Sequence, residues 1–440
     1  MKKNNSSKYY VIEGGHKLTG EVTTNGAKNS AMGLLAASIL NQGKTTFYNM
    51  PEIEEVYRII EVMQSIGMRI RWIKKNTLEI IPPKKYDLSK INIDSAQKTR
   101  SIIMFIGPLI HKLKNFNIPF SGGCKLGKRT VKPHFYALEK LGIDIKTKEN
   151  FYQVNSQSIK PALEIVLYES GDTTTENIIM AAALIPKKTT IRYASCNYQI
   201  QDLCCFLQKL GVEIKGSDTT NITVNGVKNI NKDISYHVSE DPIESMLFIS
   251  LAATTNSEII IKRCPIRFLE LELYKLKKMG FKYKILNKYL SRNNYTELVD
   301  IQTLPSNLTA PTEKLDARPY PGINIDNLPF FVPIATQAKG ETLIHDWIYE
   351  NRAIYYIELI RLGAEIILAD PHRVYIKGPK KLTGAEIISP PALRPSAIVL
   401  VAMLAAKGKS ILRNIYGIER GYENLVDRLK KLGAKIKIDE

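Results

Sequence analysis

A cysteine at position 124 stands in the run SGGCKLGKRTVKPH, residues 121–134, with three glycines and four Lys or Arg residues. Positive neighbours lower a thiol pKa from its reference of roughly 8.5 and make the sulfur more nucleophilic. The glycines allow a loop that closes over a ligand. The plainer alternative is a basic surface loop with an incidental cysteine, but polar, glycine-rich company is unusual for a packing cysteine. Cys196, Cys204, Cys205 and Cys264 sit in or beside apolar stretches and read as packing residues. There is no CxxC pair, and adjacent Cys204 and Cys205 cannot readily bridge. A reducing, cytoplasmic compartment is the expectation.

Charged groups elsewhere suit anion chemistry. In TNGAKNSAM, Lys28 and Asn29 lie where a strand runs into a helix. A helix N-terminus offers free N–H groups and the positive end of a dipole, and a lysine adds a point charge. The alternative is that Asn25 caps the helix and Lys28 is solvated. Arg100 (QKTRSII), Arg352 (YENRAI), Arg394 (PALRPSA) and Arg420 (IERGYENL) each precede an apolar helix or follow a turn. Arginine forks onto carboxylate or phosphate, although each taken singly is an ordinary ion-pair partner. Asp326, in PGINIDNLP, is a lone carboxylate entering an apolar helix, either an N-cap or a general base.

A repeat must carry these residues. SIGMRI, KLGIDI, KLGVEI, KMGFKY, RLGAEI and KLGAKI each read as a helix end, a glycine and an alternating strand. The glycines are Gly67, Gly142, Gly211, Gly280, Gly363 and Gly433, spaced by 75, 69, 69, 83 and 70 residues. Each is expected to take a left-handed conformation where the helix stops. Most repeats open on a polar loop and a helix apolar nearly all round, which must be buried among other elements. Six repeats of about seventy residues exceed solenoid periods and split into two groups of three. That predicts two similar α/β domains.

The chain has 440 residues, 44% of them apolar and 24% charged, which excludes a disordered chain or a disulfide miniprotein. The longest apolar run, Ala397–Ala406, is half of a membrane span, so no span is expected. The N-terminal stretch has no apolar segment and does not read as a secretory signal. Lys plus Arg is 62 against 43 Asp plus Glu, a net charge of +19. The lysines are scattered and read as solvated, with no basic stripe interleaved with aromatics, so nucleic acid is not the expected partner.

Together GEVTTNGAKNSA, GGCKLGKR, EDPIES, YENRA and IERGYENL resemble the enolpyruvyl transferases, from Tyr10 to about Ile436. The cysteine loop resembles the branch whose acceptor is UDP-N-acetylglucosamine rather than the shikimate-pathway branch. The resemblance implies two inside-out α/β barrel (prism) domains, 28–238 and 1–27 plus 239–440. It implies transfer of the enolpyruvyl group of phosphoenolpyruvate to the sugar 3-hydroxyl, with no metal or other cofactor and no obligate protein partner. It casts Cys124 as the group that protonates or covalently holds phosphoenolpyruvate and Asp326 as the base. Lys28, Arg129 and Arg420 would hold phosphate and carboxylate, Asn29 the sugar, and Arg100 and Arg394 would be further cleft arginines. Glu244 and Arg352 would be structural.

Some positions depart from the family pattern. Thr130-Val131-Lys132-Pro133-His134 replaces the usual uridine-contact stretch, with Lys132 where an aspartate is common. SGDTTTEN, from Ser170, lacks a usual lysine and glycine, and Ala392 replaces a carboxylate. Lys132 would then pair with the diphosphate or point to solvent. A different nucleotide or sugar-phosphate acceptor, or a non-catalytic nucleotide-sugar binder, are the competing readings.

Overall fold

Five of the six repeat glycines follow a described helix directly or by one residue, and all six take positive φ, between 79° and 106°. The strands expected after them are Arg69–Lys74, Asp144–Thr147, Glu213–Lys215, Lys282–Leu290, Glu365–Asp370 and Lys435–Asp439. A residue with a Cβ would pay a steric cost at each stop, so the glycine is what turns the chain from helix to strand. The computed structural model describes residues 8–120, 122 and 130–440. Cys124 and Arg129 lie outside that set.

The chain separates into two compact lobes, described here as residues 8–25 with 240–440, and residues 26–120 with 130–239. Among the described residues each lobe holds three small sheets. Five of the six share one pattern: four strands, with one outer pair parallel and the other two pairings antiparallel. The sixth joins Asn115–Pro119, Phe151–Asn155 and Asp144–Thr147, all antiparallel.

The apolar helices are interior elements, as their lack of a polar face requires. Every residue of Pro242–Thr254 is buried, and so is all of Leu393–Ala405 but its last residue. In the other lobe Lys28–Ser38 is buried from Ser30 onward and Asp172–Ala182 from Thr174 onward. The two remaining core helices are short. A 3-10 turn Arg100–Phe105 leads into Ile106–Leu109, and Leu328–Phe330 leads into Phe331–Ala335. Pro108, Pro329 and Pro333 cannot donate in a helical ladder, which keeps these pieces short.

Strand ends close onto the carbonyl ends of the buried helices. A Cβ on Gly14 would lie 2.1 Å from the Met403 carbonyl oxygen, and one on Gly378 within 2.8 Å of three carbonyls, Ala335, Thr336 and Ala338. Gly14 and Gly378 therefore hold the same place against two different helices, as a repeat demands. Pro379, Lys380, Lys381, Lys407 and Gln337 line one open cavity of about 700 Å³ at this end.

The second lobe buries carboxyl groups in its core. Glu176 is 1% exposed, and its Oε1 has no hydrogen-bond partner. Burial first, then the nearby Asp172 and Asp202, push its carboxyl well above the usual range. Gly33 makes the room: a Cβ there would stand 2.3 Å from Glu176 Oε1. Asp202 accepts from the Tyr236 hydroxyl at 2.6 Å and from the Ser239 N–H at 3.1 Å. His134 is buried too, and burial, then Arg100, push its pKa down to about 3. Its Nδ1 lies 3.1 Å from Asn177 Nδ2, whose amide must donate, so the neutral ring carries its proton on Nε2, toward Thr173 at 3.4 Å.

A group with a raised folded-state pKa stabilises fully below its unfolded pKa and loses that contribution as pH rises. Folding with a neutral Glu176 therefore costs up to about 1.4 kcal/mol per pH unit above roughly pH 4.5. Glu176→Gln removes this dependence. Thermal melts of the variant and the parent are expected to agree near pH 5, with the variant increasingly more stable toward pH 8. A constant difference across that range would show that Glu176 folds ionised.

Candidate active site

Asp326 follows the turn Gly322–Asn324, and its backbone N–H donates to Asn324 Oδ1 at 2.9 Å. Its side chain does not cap the helix that follows. Oδ2 lies 3.2 Å from Arg394 Nη2, and Oδ1 lies 3.9 Å from Arg352 Nη1. The carboxylate thus stands between two guanidiniums, with 19% of its side chain still exposed. A base needs that combination: a fixed direction and an open edge.

Each guanidinium is fixed in turn. Arg352 is fully buried, which is tolerable only with its charge and donors met. Its Nε and Nη2 fork onto Asp346 at 2.5 and 2.8 Å, and Nη2 also donates to the Ile325 carbonyl at 2.7 Å. Tyr356 donates its hydroxyl to Asp346 at 2.5 Å, and the Tyr349 ring covers the guanidinium at 4.2 Å. The bond to Ile325 ties the buried pair to the residue just before Asp326. Arg352 is therefore structural, as expected, and its task is to hold the turn.

Arg394 is the second residue of Leu393–Ala405 and is 6% exposed. Nη1 donates to the Tyr422 hydroxyl at 2.7 Å, and Nη2 meets Asp326. The two readings of this arginine converge, since its ion-pair partner is the candidate base. Ala392, where a carboxylate is common in the family, is the buried N-cap of the same helix and offers Arg394 no charge. Arg420 ends the short helix Tyr416–Glu419, two residues before Tyr422, and is half-buried.

In the other lobe, Lys28 opens the helix Lys28–Ser38, but Asn25 does not cap it. Ala27 is the N-cap and has no side-chain acceptor. Asn25 instead donates its backbone N–H to Glu244 at 2.7 Å. Arg428 forks onto Glu244 at 2.5 and 2.9 Å and donates to the Thr23 carbonyl at 2.6 Å. Glu244 of the EDPIES motif thus anchors residues 23–25, a structural role. Lys28 is not a solvated lysine. Its ammonium pairs with Glu55 at 2.6 Å and reaches Asn29 Oδ1 at 3.4 Å. Glu55 was not singled out in the sequence. Its place at the start of an amphipathic helix, among Glu52, Glu54 and Glu55, gave no sign of which acid would face the lysine.

Arg100 follows Thr99, whose hydroxyl caps the 3-10 turn, and its Nη2 reaches the Thr130 carbonyl at 3.4 Å. Lys132 is exposed at the first position of Lys132–Glu139. The rewritten run from Ser170 is engaged within its own lobe. Asp172 accepts from Ser195 at 2.5 Å and Asn197 at 3.2 Å, and Thr175 accepts from the Ser195 N–H at 2.9 Å. Among the described residues no group of three or more His, Cys, Asp or Glu is placed to hold a metal ion, and no helix is long and apolar enough to cross a membrane.

The fold is that of the enolpyruvyl transferases. The enolpyruvyl transferase NikO from Streptomyces tendae superposes with a TM-score of 0.84 at 20% identity, over 99% of both chains. EPSP synthase from Acinetobacter baumannii superposes at 0.77 and 16% identity, over 99% of this chain and 100% of the other. The family profile for EPSP synthase (3-phosphoshikimate 1-carboxyvinyltransferase) matches residues 12–429, and the chain belongs to that family. Similar full-length relatives include the UDP-N-acetylglucosamine 1-carboxyvinyltransferases of Treponema denticola, 36% identical over 98% of this chain and 99% of the relative. That of Borreliella burgdorferi is 33% identical over 97% and 98%.

Removing Asp346 leaves the Arg352 guanidinium buried and uncompensated. Asp346→Ala is expected to destabilise the protein by about 3–5 kcal/mol, measured by denaturant unfolding. A loss below about 1 kcal/mol would mean that Arg352 finds other partners.

Proposed function

We propose that this protein transfers the enolpyruvyl group of phosphoenolpyruvate to the 3-hydroxyl of UDP-N-acetylglucosamine and releases phosphate. The full-length likeness to proteins of that name carries the reading. The half-open carboxylate of Asp326, aimed by Arg394, is the part of the geometry that such a reaction needs. The alternative acceptors are not favoured by those relatives. The two lobes are taken as two inside-out α/β barrels of three repeats each, a reading supported by the buried helices and by the sheet pattern repeated in both lobes.

The chemistry is an addition followed by an elimination. Cys124 gives a proton to the methylene carbon of phosphoenolpyruvate, and positive charge develops at the central carbon. Asp326 takes the proton of the sugar hydroxyl as its oxygen bonds to that carbon. The adduct then loses a proton from the new methyl group together with phosphate, and the double bond returns. Lys28, Arg129 and Arg420 hold the phosphate and carboxylate. Asn29 contacts the sugar, and Arg100 adds a further cation. Arg394 acts on the reaction by aiming Asp326. Lys132 is exposed and free to follow the diphosphate. Binding two polyanions in fixed orientation supplies much of the acceleration, through proximity and preset charge.

Phosphate release from phosphoenolpyruvate is expected with UDP-N-acetylglucosamine and not with shikimate 3-phosphate. Asp326→Asn is expected to lower kcat by about 100-fold or more, in line with loss of a general base, with smaller changes in either KM. Release with shikimate 3-phosphate alone would overturn the acceptor.

Thiol chemistry gives a separate check. Burial pushes the Cys205 and Cys264 thiols up to about 12 and raises Cys204 well above its usual value. None of these three is a competent nucleophile at neutral pH. Fosfomycin, an epoxide carrying a phosphonate, is expected to label Cys124 alone, read by peptide mass spectrometry, and Cys124→Ser is expected to abolish the label. Labelling elsewhere, or none with an active enzyme, would remove Cys124 from the mechanism.

A further inference from the structure

The segment Glu52–Glu55 carries three acids, and each goes to a different partner. Glu52 accepts from the Asn76 N–H at 2.7 Å, which holds a turn. Glu54 pairs with Arg58 one helical turn on, at 3.0 Å. Glu55 crosses to another helix and meets Lys28 at 2.6 Å, with the two side chains only 13% and 16% exposed. The helix that Lys28 opens has no capping side chain and no acid in its first turn. Its N-terminus therefore supplies no negative charge of its own, and the carboxylate beside Lys28 is imported.

From this geometry we infer that Glu55 is the resident counter-anion of Lys28, which an incoming phosphate or phosphoenolpyruvate must displace or share. The inference rests on the proposed role of Lys28 in holding that anion. A lysine kept this way is aimed and charge-balanced before substrate arrives. A simple monoanion gains little by competing with a carboxylate already in place, whereas a multiply charged phosphate carries enough charge to do so. The same competition helps the product phosphate to leave. Glu55 is thus a positioning residue that sets the affinity and the charge selectivity of the anion site.

Glu55→Gln keeps an oxygen that can accept from Lys28 and removes the competing charge. The full-length protein would be titrated with inorganic phosphate by calorimetry, and the KM for phosphoenolpyruvate measured alongside. The variant is expected to bind phosphate about three- to ten-fold more tightly, since removing one nearby like charge at a partly screened site is worth that order. The phosphoenolpyruvate KM is expected to fall with it, and the acceptor KM to stay put. Glu54→Gln makes the same charge change one residue away and is expected to leave phosphate affinity unchanged. Glu55→Asp, which draws the carboxylate back from Lys28, is expected to tighten phosphate binding about two-fold, and it serves as the test should Glu55→Gln not fold. Equal or weaker phosphate binding by Glu55→Gln, no change in Glu55→Asp when it is the only folded variant, an equal effect from Glu54→Gln, or no phosphate binding by any variant would overturn the inference. Absence of turnover with UDP-N-acetylglucosamine would refute the proposed reaction instead, and the phosphate titrations would still decide the role of Glu55.

Discussion

A buried guanidinium has few ways to exist, and the first lobe is arranged around one. Arg352 is stable in the interior because Asp346 accepts two of its hydrogen bonds, Tyr356 completes Asp346, and Tyr349 covers the ring of charge. Such a pair adds little net stability compared with apolar packing, but breaking it is costly, so it fixes a unique arrangement. The arrangement it fixes is the turn before Asp326, through the bond to the Ile325 carbonyl. Arg394 then meets Asp326 from the start of a helix that has no freedom to move, because nearly all of it is core. The candidate base is thus set by packing two layers away from it.

The second lobe reaches a comparable result with different means. Its core contains a carboxyl that folds against its own charge, a neutral histidine in a fixed tautomer and a tyrosine–aspartate pair. These groups lie among the helices that begin at Lys28, Arg100 and Asp172. The histidine and the tyrosine–aspartate pair, whose bonds are met, tolerate few alternatives, so they hold the helix starts in register. The starts in turn carry the cations proposed to meet substrate. The rewritten run from Ser170 belongs to this network, which gives Asp172 and Thr175 a structural reason independent of any ligand.

Much of this was legible in the chain. Six glycines at similar spacing marked six helix stops, because only a residue without a Cβ takes that conformation freely, and all six do. Helices with no polar face announced that they were interior. Arg352 was recognisable as structural and Asp326 as a lone carboxylate near a helix start. What stayed hidden were partnerships across large separations. Asn25 looked like a cap, but the acid it serves is 219 residues away. Glu55 looked like one of three interchangeable acids, and only the fold shows which one faces Lys28. The shortness of two core helices and their 3-10 starts were not foreseen, although Pro108, Pro329 and Pro333 stand in those runs. Local rules see backbone stops and periodicity, and they do not see which side chain a distant element will offer.

The glycines that close onto helix carbonyl ends carry a further meaning. Gly14 and Gly378 meet the ends of Leu393–Ala405 and Phe331–Ala335 beside one shared cavity, while Arg394 and Asp326 meet near the opposite ends of the same helices. The two helices therefore point the same way, so their dipoles add instead of cancelling as they would in an antiparallel pair. Side-by-side parallel dipoles repel, which makes the lobe an electrically polarised body with a standing cost. Lys381 and Lys407 line the cavity at the carbonyl end and offset part of that cost, which gives some of the chain's surplus positive charge an architectural rather than a ligand-seeking origin. At the other end an anion would do the same. The Asp326 carboxylate, 3.2 Å from Arg394, is such an anion, and the polypeptide brings it itself.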